Sequence, residues 1–263
     1  MDVIALANQK GGVGKTTTSA TLGAALAQKG KRVLLVDLDQ QGNLGISAGI
    51  AEPDEIEPTI YNVLATHAST YQGQTRVTLA DILLHIDSLG VDLIPANIDL
   101  AAVDLELINA MNREYLLRRV LEPIKGKYDY VLLDCPPSLG FMVVNALAAA
   151  NKVIIPLQAQ YLATRGVRQL LRTISVAQQE LNPGLKIEGI LLTMVAPTTH
   201  SKEVVSLTRS KFDGKVPVFD SVIKTSVRVQ EAPIGGQSIL TYEPKSDVAQ
   251  AYLKLADEVI SNA

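Results

Sequence analysis

Runs such as "VIALA" from Val3 and "VLLV" from Val33 are apolar at every position, where a half-exposed strand would alternate. A strand with no polar face has to be covered on both sides, which demands helices above and below its sheet. Six segments read as strands on these grounds: Val3–Ala7, Val33–Asp37, Val91–Pro95, Tyr130–Asp134, Val153–Pro156 and Ile187–Met194. Helical patterns separate several of them, over Thr16–Gln28, Leu139–Ala149 and Gly166–Leu181. That rhythm predicts an α/β fold with a doubly wound, mostly parallel sheet and helices on both faces. Residues 51–90, acidic and Pro-containing and then polar, read as loops and short helices over one sheet edge. Without repeats or low-complexity tracts, one domain over residues 1–263 is the expectation.

Directly after the first strand comes "NQKGGVGKTTT". The phosphate-loop pattern G-x-x-x-x-G-K-[ST] is met from Gly14 through Thr16, but Gln9 stands where its first glycine belongs, and Lys10 is an additional lysine. Gly11, Gly12 and Gly14 still allow the backbone to turn its N–H groups toward an anion at the start of a helix. Lys15 suits the outer phosphates and the Thr16 hydroxyl suits Mg²⁺. A glycine-rich bend without ligand is the plainer alternative. Against it stands the coincidence of strand, glycines and Lys-Thr in this order.

Carboxylates fall where such a site needs them. "VLLVDLDQQGN" ends a strand at Asp37 and continues to Asp39, and "YVLLDCPP" ends another at Asp134. Ligands of open α/β sheets bind beyond the carboxyl ends of strands. Asp37 and Asp134 suit the water shell of Mg²⁺, and Asp39, two residues further out, suits orienting an attacking water. Taken singly, each aspartate also reads as a cap or turn residue.

"KGGVGKTTT", "DLDQQGN", "LLDCPPSLG", "IIPLQAQY" and "VRVQEAPIGGQSI" occur in this order, and the chain resembles the ParA/Soj branch of the ParA/MinD ATPases from about residue 2 to residue 259. These are deviant Walker-box P-loop proteins that segregate chromosomes and plasmids or position cargo. The resemblance implies ATP and Mg²⁺ as ligands, with residues Lys10, Gly11, Gly12, Val13, Gly14, Lys15, Thr16 and Thr17 around the nucleotide. It implies Thr16, Asp37 and Asp134 at the metal, with Lys10, Lys15 and Asp39 catalytic. Met194 and the backbone of 223–225 would lie near the base. Spacing alone leaves Lys10 a solvated loop lysine. The family gives it a role across an ATP-dependent homodimer, at the partner subunit's phosphates. A ParB-like or other cargo-adaptor protein that stimulates a slow hydrolysis is the implied partner.

The chain departs from the family pattern at several points. Gln40 replaces a proline, Gln160 stands where a glutamate is frequent, "KTSVR" at 224–228 replaces "PRNVR", and Thr198 replaces an arginine tied to DNA binding. Lys202, Arg209, Lys211, Lys215, Lys224 and Arg228 outnumber Glu203, Asp213 and Asp220 by three, and Arg165, Arg168 and Arg172 share a helical face. Arg165, Arg168, Arg172, Lys202, Arg209, Lys224 and Arg228 are therefore the candidate contacts for non-specific, salt-sensitive DNA binding. A solvated surface is the alternative reading of both groups.

Whole-chain totals limit the function classes. A net charge of -3 is not the global signature of a nucleic-acid binder, so any DNA contact has to be local. The single Cys135 excludes an internal disulfide framework and reads as a packed strand-end residue, and His67, His85 and His200 are scattered. No apolar run approaches the roughly 18 residues of a membrane span, and "VAQAYLKLADEVISNA" lacks the basic face of a membrane-surface helix. The expectation is a cytoplasmic protein, nucleoid-associated in its ATP state, without stable membrane binding. No segment before the first strand has room for a helix-turn-helix, so operator-type autoregulation is not expected. The competing classes are a MinD-like membrane-associated positioning ATPase and a metabolic enzyme of the same superfamily.

Overall fold

The structure, a computed structural model, describes residues 1–68, 76–108, 110–159 and 164–262, excluding the side chains of 164–166. Eight strands form one sheet: β1 Asp2–Leu6, β2 Val33–Asp37, β3 Leu84–Ile86, β4 Val91–Ile94, β5 Tyr130–Asp134, β6 Lys152–Gln158, β7 Lys186–Val195 and β8 Val218–Lys224. Their spatial order is β3-β4-β2-β5-β1-β6-β7-β8. Every neighbouring pair is parallel except β3 with β4. The helices are α1 Lys15–Gln28, α2 Asn43–Ser47, α3 Ile60–Ala68, α4 Val103–Glu106, α5 Leu116–Leu121, α6 Phe141–Ala149, α7 Thr164–Glu180, α8 Thr199–Phe212, α9 Arg228–Glu231, α10 Ile239–Tyr242 and α11 Asp247–Ser261.

The unbroken apolar strands have the predicted cause. Val3 and Ala5 of β1, Leu34 and Val36 of β2, and Val131 and Leu133 of β5 enter a core beneath α3, α5, α6 and α7. Alternate residues Ile4, Leu6, Val33, Leu35, Tyr130 and Leu132 enter a second core beneath α1, α10 and α11. Successive strand side chains point to opposite faces, so two covered faces require apolar residues at every position.

Two strands lie outside the sequence-based assignment. β8, "VFDSVIK", alternates between buried and more exposed residues, as an edge strand with one covered face does. β3 has only three residues and lies antiparallel at the opposite edge. It falls in the region read as loops and short helices, which also holds α3.

Backbone approach fixes one contact remote in sequence. Gly49, just past α2, has φ +93°, and a Cβ there would lie 2.9 Å from Cα of Gly236, itself at φ +63°. Both backbones occupy a conformation that side chains disfavour and pack directly against each other.

Candidate active site

β1 ends in the sheet's interior, and the chain turns at once into the loop of residues 7–14. Asn8 anchors its start: Nδ2 donates to the Pro156 carbonyl at 2.7 Å and Oδ1 accepts from Lys10 N at 3.0 Å. Gly12 and Gly14 have φ of +69° and +86°, so the turn uses glycine where other residues are strained. Gly14 caps α1 without a side-chain hydrogen bond, and α1 has no acidic residue in its first turn. The first intrahelical donor is Thr18 N, to the Gly14 carbonyl. The preceding N–H groups are available to an anion at the positive end of the helix.

The two lysines of the loop occupy opposite environments. Lys15 is 7% exposed, with Nζ 3.5 Å from the Lys10 carbonyl. Burial pushes its ammonium down, opposed by Asp134 and then by Cys135 and Asp39. Lys10 lies at the surface and donates to Gln158 Oε1 at 2.9 Å.

Register brings the carboxylates together. Asp37 and Asp134 are direct partners at the ends of β2 and β5, and Asp134 also pairs with Leu6 at the end of β1. Both carboxylates are fully buried. Asp37 accepts from Asp39 N and Leu44 N, each at 3.0 Å. Burial nevertheless pushes it well above the carboxylate range, and the neighbouring Asp134 adds to this. Burial raises Asp134 to about 6, against the Thr16 and Ser19 hydroxyls and the Lys15 charge. Asp39 is 8% exposed and accepts from Gln41 N at 3.1 Å.

These residues fit a nucleotide with Mg²⁺. Asp134 Oδ1 lies 3.0 Å from the Ser19 hydroxyl, while Oδ2 is buried without a hydrogen-bond partner. Such an orphaned oxygen calls for an ion or water. Among the described residues no cluster of three or more His, Cys, Asp or Glu stands ready for a metal. Mg²⁺ commonly uses one or two carboxylates together with phosphates and water, and Asp37 and Asp134 supply two.

Sequence reasoning missed Thr193. Its hydroxyl donates to the Val13 carbonyl at 2.8 Å and is buried, so β7 holds the loop from beneath. The available signal was one polar residue within the apolar run "GILLTMV". Ser19 and Asn8 were missed as well, both being small polar residues next to the motif. Thr193→Val keeps the shape but leaves the carbonyl unsatisfied, at about 1–3 kcal/mol. Thermal denaturation should register a fall of about 2–4 °C per kcal/mol lost. An unchanged melting temperature would mean that the bond contributes nothing.

Met194, the candidate base contact, has φ +51° and is 37% exposed at the end of β7, where the Val195 carbonyl accepts from Thr225 N. Thr198, where the family pattern has arginine, caps α8 by accepting from Ser201 N at 3.2 Å.

The basic candidates divide into two groups. Arg209 donates to the Phe219 carbonyl and pairs with Asp220, Lys224 pairs with Asp247 at 2.6 Å, and Arg228 pairs with Glu231 at 2.8 Å. Arg168, Arg172 and Lys202 are exposed and form no ion pair among the described residues. The Arg165 side chain and Gln160 lie outside the described residues. Cys135 is buried, and no helix among the described residues is long and apolar enough to cross a membrane.

A glycine loop between the central strand and a helix without a side-chain cap, facing paired aspartates on neighbouring strands, defines a P-loop nucleotide-binding protein. A family model described as an AAA domain matches residues 1–187. The chain is 45% identical over 261 residues to the sporulation initiation inhibitor protein Soj of Bacillus subtilis, covering 99% of this chain and 98% of that protein. It is 46% identical over 262 residues to the chromosome partitioning protein ParA of Caulobacter vibrioides, covering 98% and 94%. A crystal structure from Mycobacterium smegmatis, described as cobyrinic acid a,c-diamide synthase with bound ATP analogue and magnesium, superposes with a TM-score of 0.85. It shares 42% identity and covers 100% of this chain and 95% of that one. The chain belongs to the ParA/Soj-type family of ATPases.

Proposed function

We propose that this protein is an ATP-dependent dimerising switch that binds DNA without sequence preference and drives partition or positioning of a cargo. The observation carrying the reading is the division of labour within one loop, where Lys15 is buried beside Asp134 and Lys10 is held at the surface. A buried lysine serves the phosphates bound to its own chain. A surface lysine on the same loop suits phosphates that approach from a second copy. Similarity to Soj and ParA over nearly the whole chain supports the same reading.

In this scheme the N–H groups of residues 11–16 cradle the phosphates, and the Thr16 hydroxyl with Asp37 and Asp134 holds the metal with its water. Magnesium held there would supply charge neutralisation at the phosphate oxygens. Asp39 orients the attacking water, and Lys15 with the partner subunit's Lys10 stabilises charge during transfer. Two protomers align two sets of Arg168, Arg172 and Lys202, converting weak phosphate contacts into avidity. A cargo-bound partner protein accelerates hydrolysis and returns the dimer to monomers.

DNA co-sedimentation with ATP and with ADP over a salt series tests the reading. ATP-dependent retention should fall steeply between about 50 and 200 mM salt. Lys10→Ala should abolish ATP-dependent dimerisation in sedimentation while nucleotide binding persists. ATP-dependent binding to liposomes but not to DNA would overturn the reading in favour of a MinD-like one. A second reading, ATP-driven amide formation, rests on the name of the Mycobacterium smegmatis relative. It requires turnover that depends on a carboxylic acid and an amine donor and is indifferent to DNA.

A further inference from the structure

We propose that the cavity between the sheet and α5, apart from the nucleotide site, binds a free monocarboxylate with an apolar body, such as a medium-chain fatty acid. The cavity encloses about 370 Å³, within the range of small-molecule pockets. Leu34 of β2, Ile94 of β4, Val120 of α5 and the neighbouring Leu79, Leu83 and Ile124 are among its apolar lining residues. Leu83 on its wall is 40% exposed, so the cavity opens to solvent, and an apolar pocket of this size suits a hydrocarbon body.

Thr78 and Tyr128 add hydroxyls to the lining, and its charged groups are all basic. His67, Arg76 and Lys127 stand around the cavity, and no Asp or Glu occurs among the described lining residues. Carboxylates on flanking elements already accept hydrogen bonds or pair with other residues. Asp81 accepts from Thr78, Asp92 from Tyr128 and His85, and Glu122 pairs with Lys125. Arg76 and Lys127 are exposed and form no ion pair among the described residues. The His67 ring is pushed toward its neutral form by burial, with Arg76 and Arg119 contributing in the same direction. An uncompensated cationic rim over an apolar interior is complementary to a ligand with one anionic head and a hydrocarbon body. Leu34 lies three residues before Asp37 on β2, about 10 Å along the strand, so the two sites do not coincide.

Titration of the full chain with decanoate below its micellar concentration, followed by calorimetry and methyl NMR, tests this. Decanoate should bind with one-to-one stoichiometry and shift the methyl resonances of Leu34, Ile94 and Ile124. Decanol, with the same body and no charge, should bind at least about tenfold more weakly. The double variant Arg76→Glu, Lys127→Glu should weaken decanoate by about tenfold or more and leave decanol unchanged. Absent decanoate binding, shifts confined to other methyls, equal affinity for decanol, or indifference to the double variant would each overturn the proposal.

Discussion

Asp39→Ala leaves the protein able to bind MgATP and lowers its turnover by about a hundredfold or more, the contribution typical of one group that manages the attacking water. The geometry separates Asp39 from Asp37 and Asp134. Asp37 and Asp134 are strand residues buried in the sheet, whereas Asp39 lies beyond the end of β2 in the loop toward α2. Its carboxylate accepts from Gln41 N, while Asp37 carries the hydrogen bonds from Asp39 N and Leu44 N that hold the loop. Truncation at Asp39 therefore removes a carboxylate and leaves the loop's main anchor intact. Fluorescent-nucleotide titration and a phosphate-release assay on the same sample separate the two effects. Loss of ATP affinity in parallel with turnover would assign Asp39 to binding instead.

Lys15→Ala reaches further, lowering ATP affinity by at least about a hundredfold, or about 2.7 kcal/mol. A triphosphate brings several negative charges toward a site that already holds two buried carboxylates, both pushed upward by burial. Lys15 is the buried cation among these groups, and desolvation makes its charge more effective toward a phosphate than it would be in water. Arginine is a poor substitute, because its planar fork requires room that a buried single ammonium does not. Equilibrium titration with a fluorescent ATP analogue measures the loss. An affinity within threefold of the parent would mean that the backbone cradle alone holds the phosphates.

The central strands were legible because two buried faces leave an unmistakable apolar run. The paired aspartates were legible because parallel strands deliver their carboxyl ends to one edge of the sheet. β5 was assigned residue for residue, while β8 was passed over because its single covered face dilutes the apolar signal with Asp220 and Ser221. Thr193 could not be read as the loop's support, since its partner is a backbone carbonyl 180 residues away in sequence. Charge counting likewise could not distinguish Lys224 and Arg228, which are matched with carboxylates, from Lys202, which forms no ion pair among the described residues. Ion pairing is a property of the folded surface. Thr198 illustrates the reverse case, where a departure from the family pattern became a helix cap.

The contact between Gly49 and Gly236 has a mechanical consequence. One glycine ends the segment that begins at Asp37, and the other closes the segment that displays Ile234, 88% exposed. Elsewhere a core can absorb a shift by letting a side chain change rotamer, but two bare backbones have no such slack. A side chain placed at Gly49 would therefore collide with the backbone of Gly236 and force the stretch beyond Asp39 away from the segment that carries Ile234.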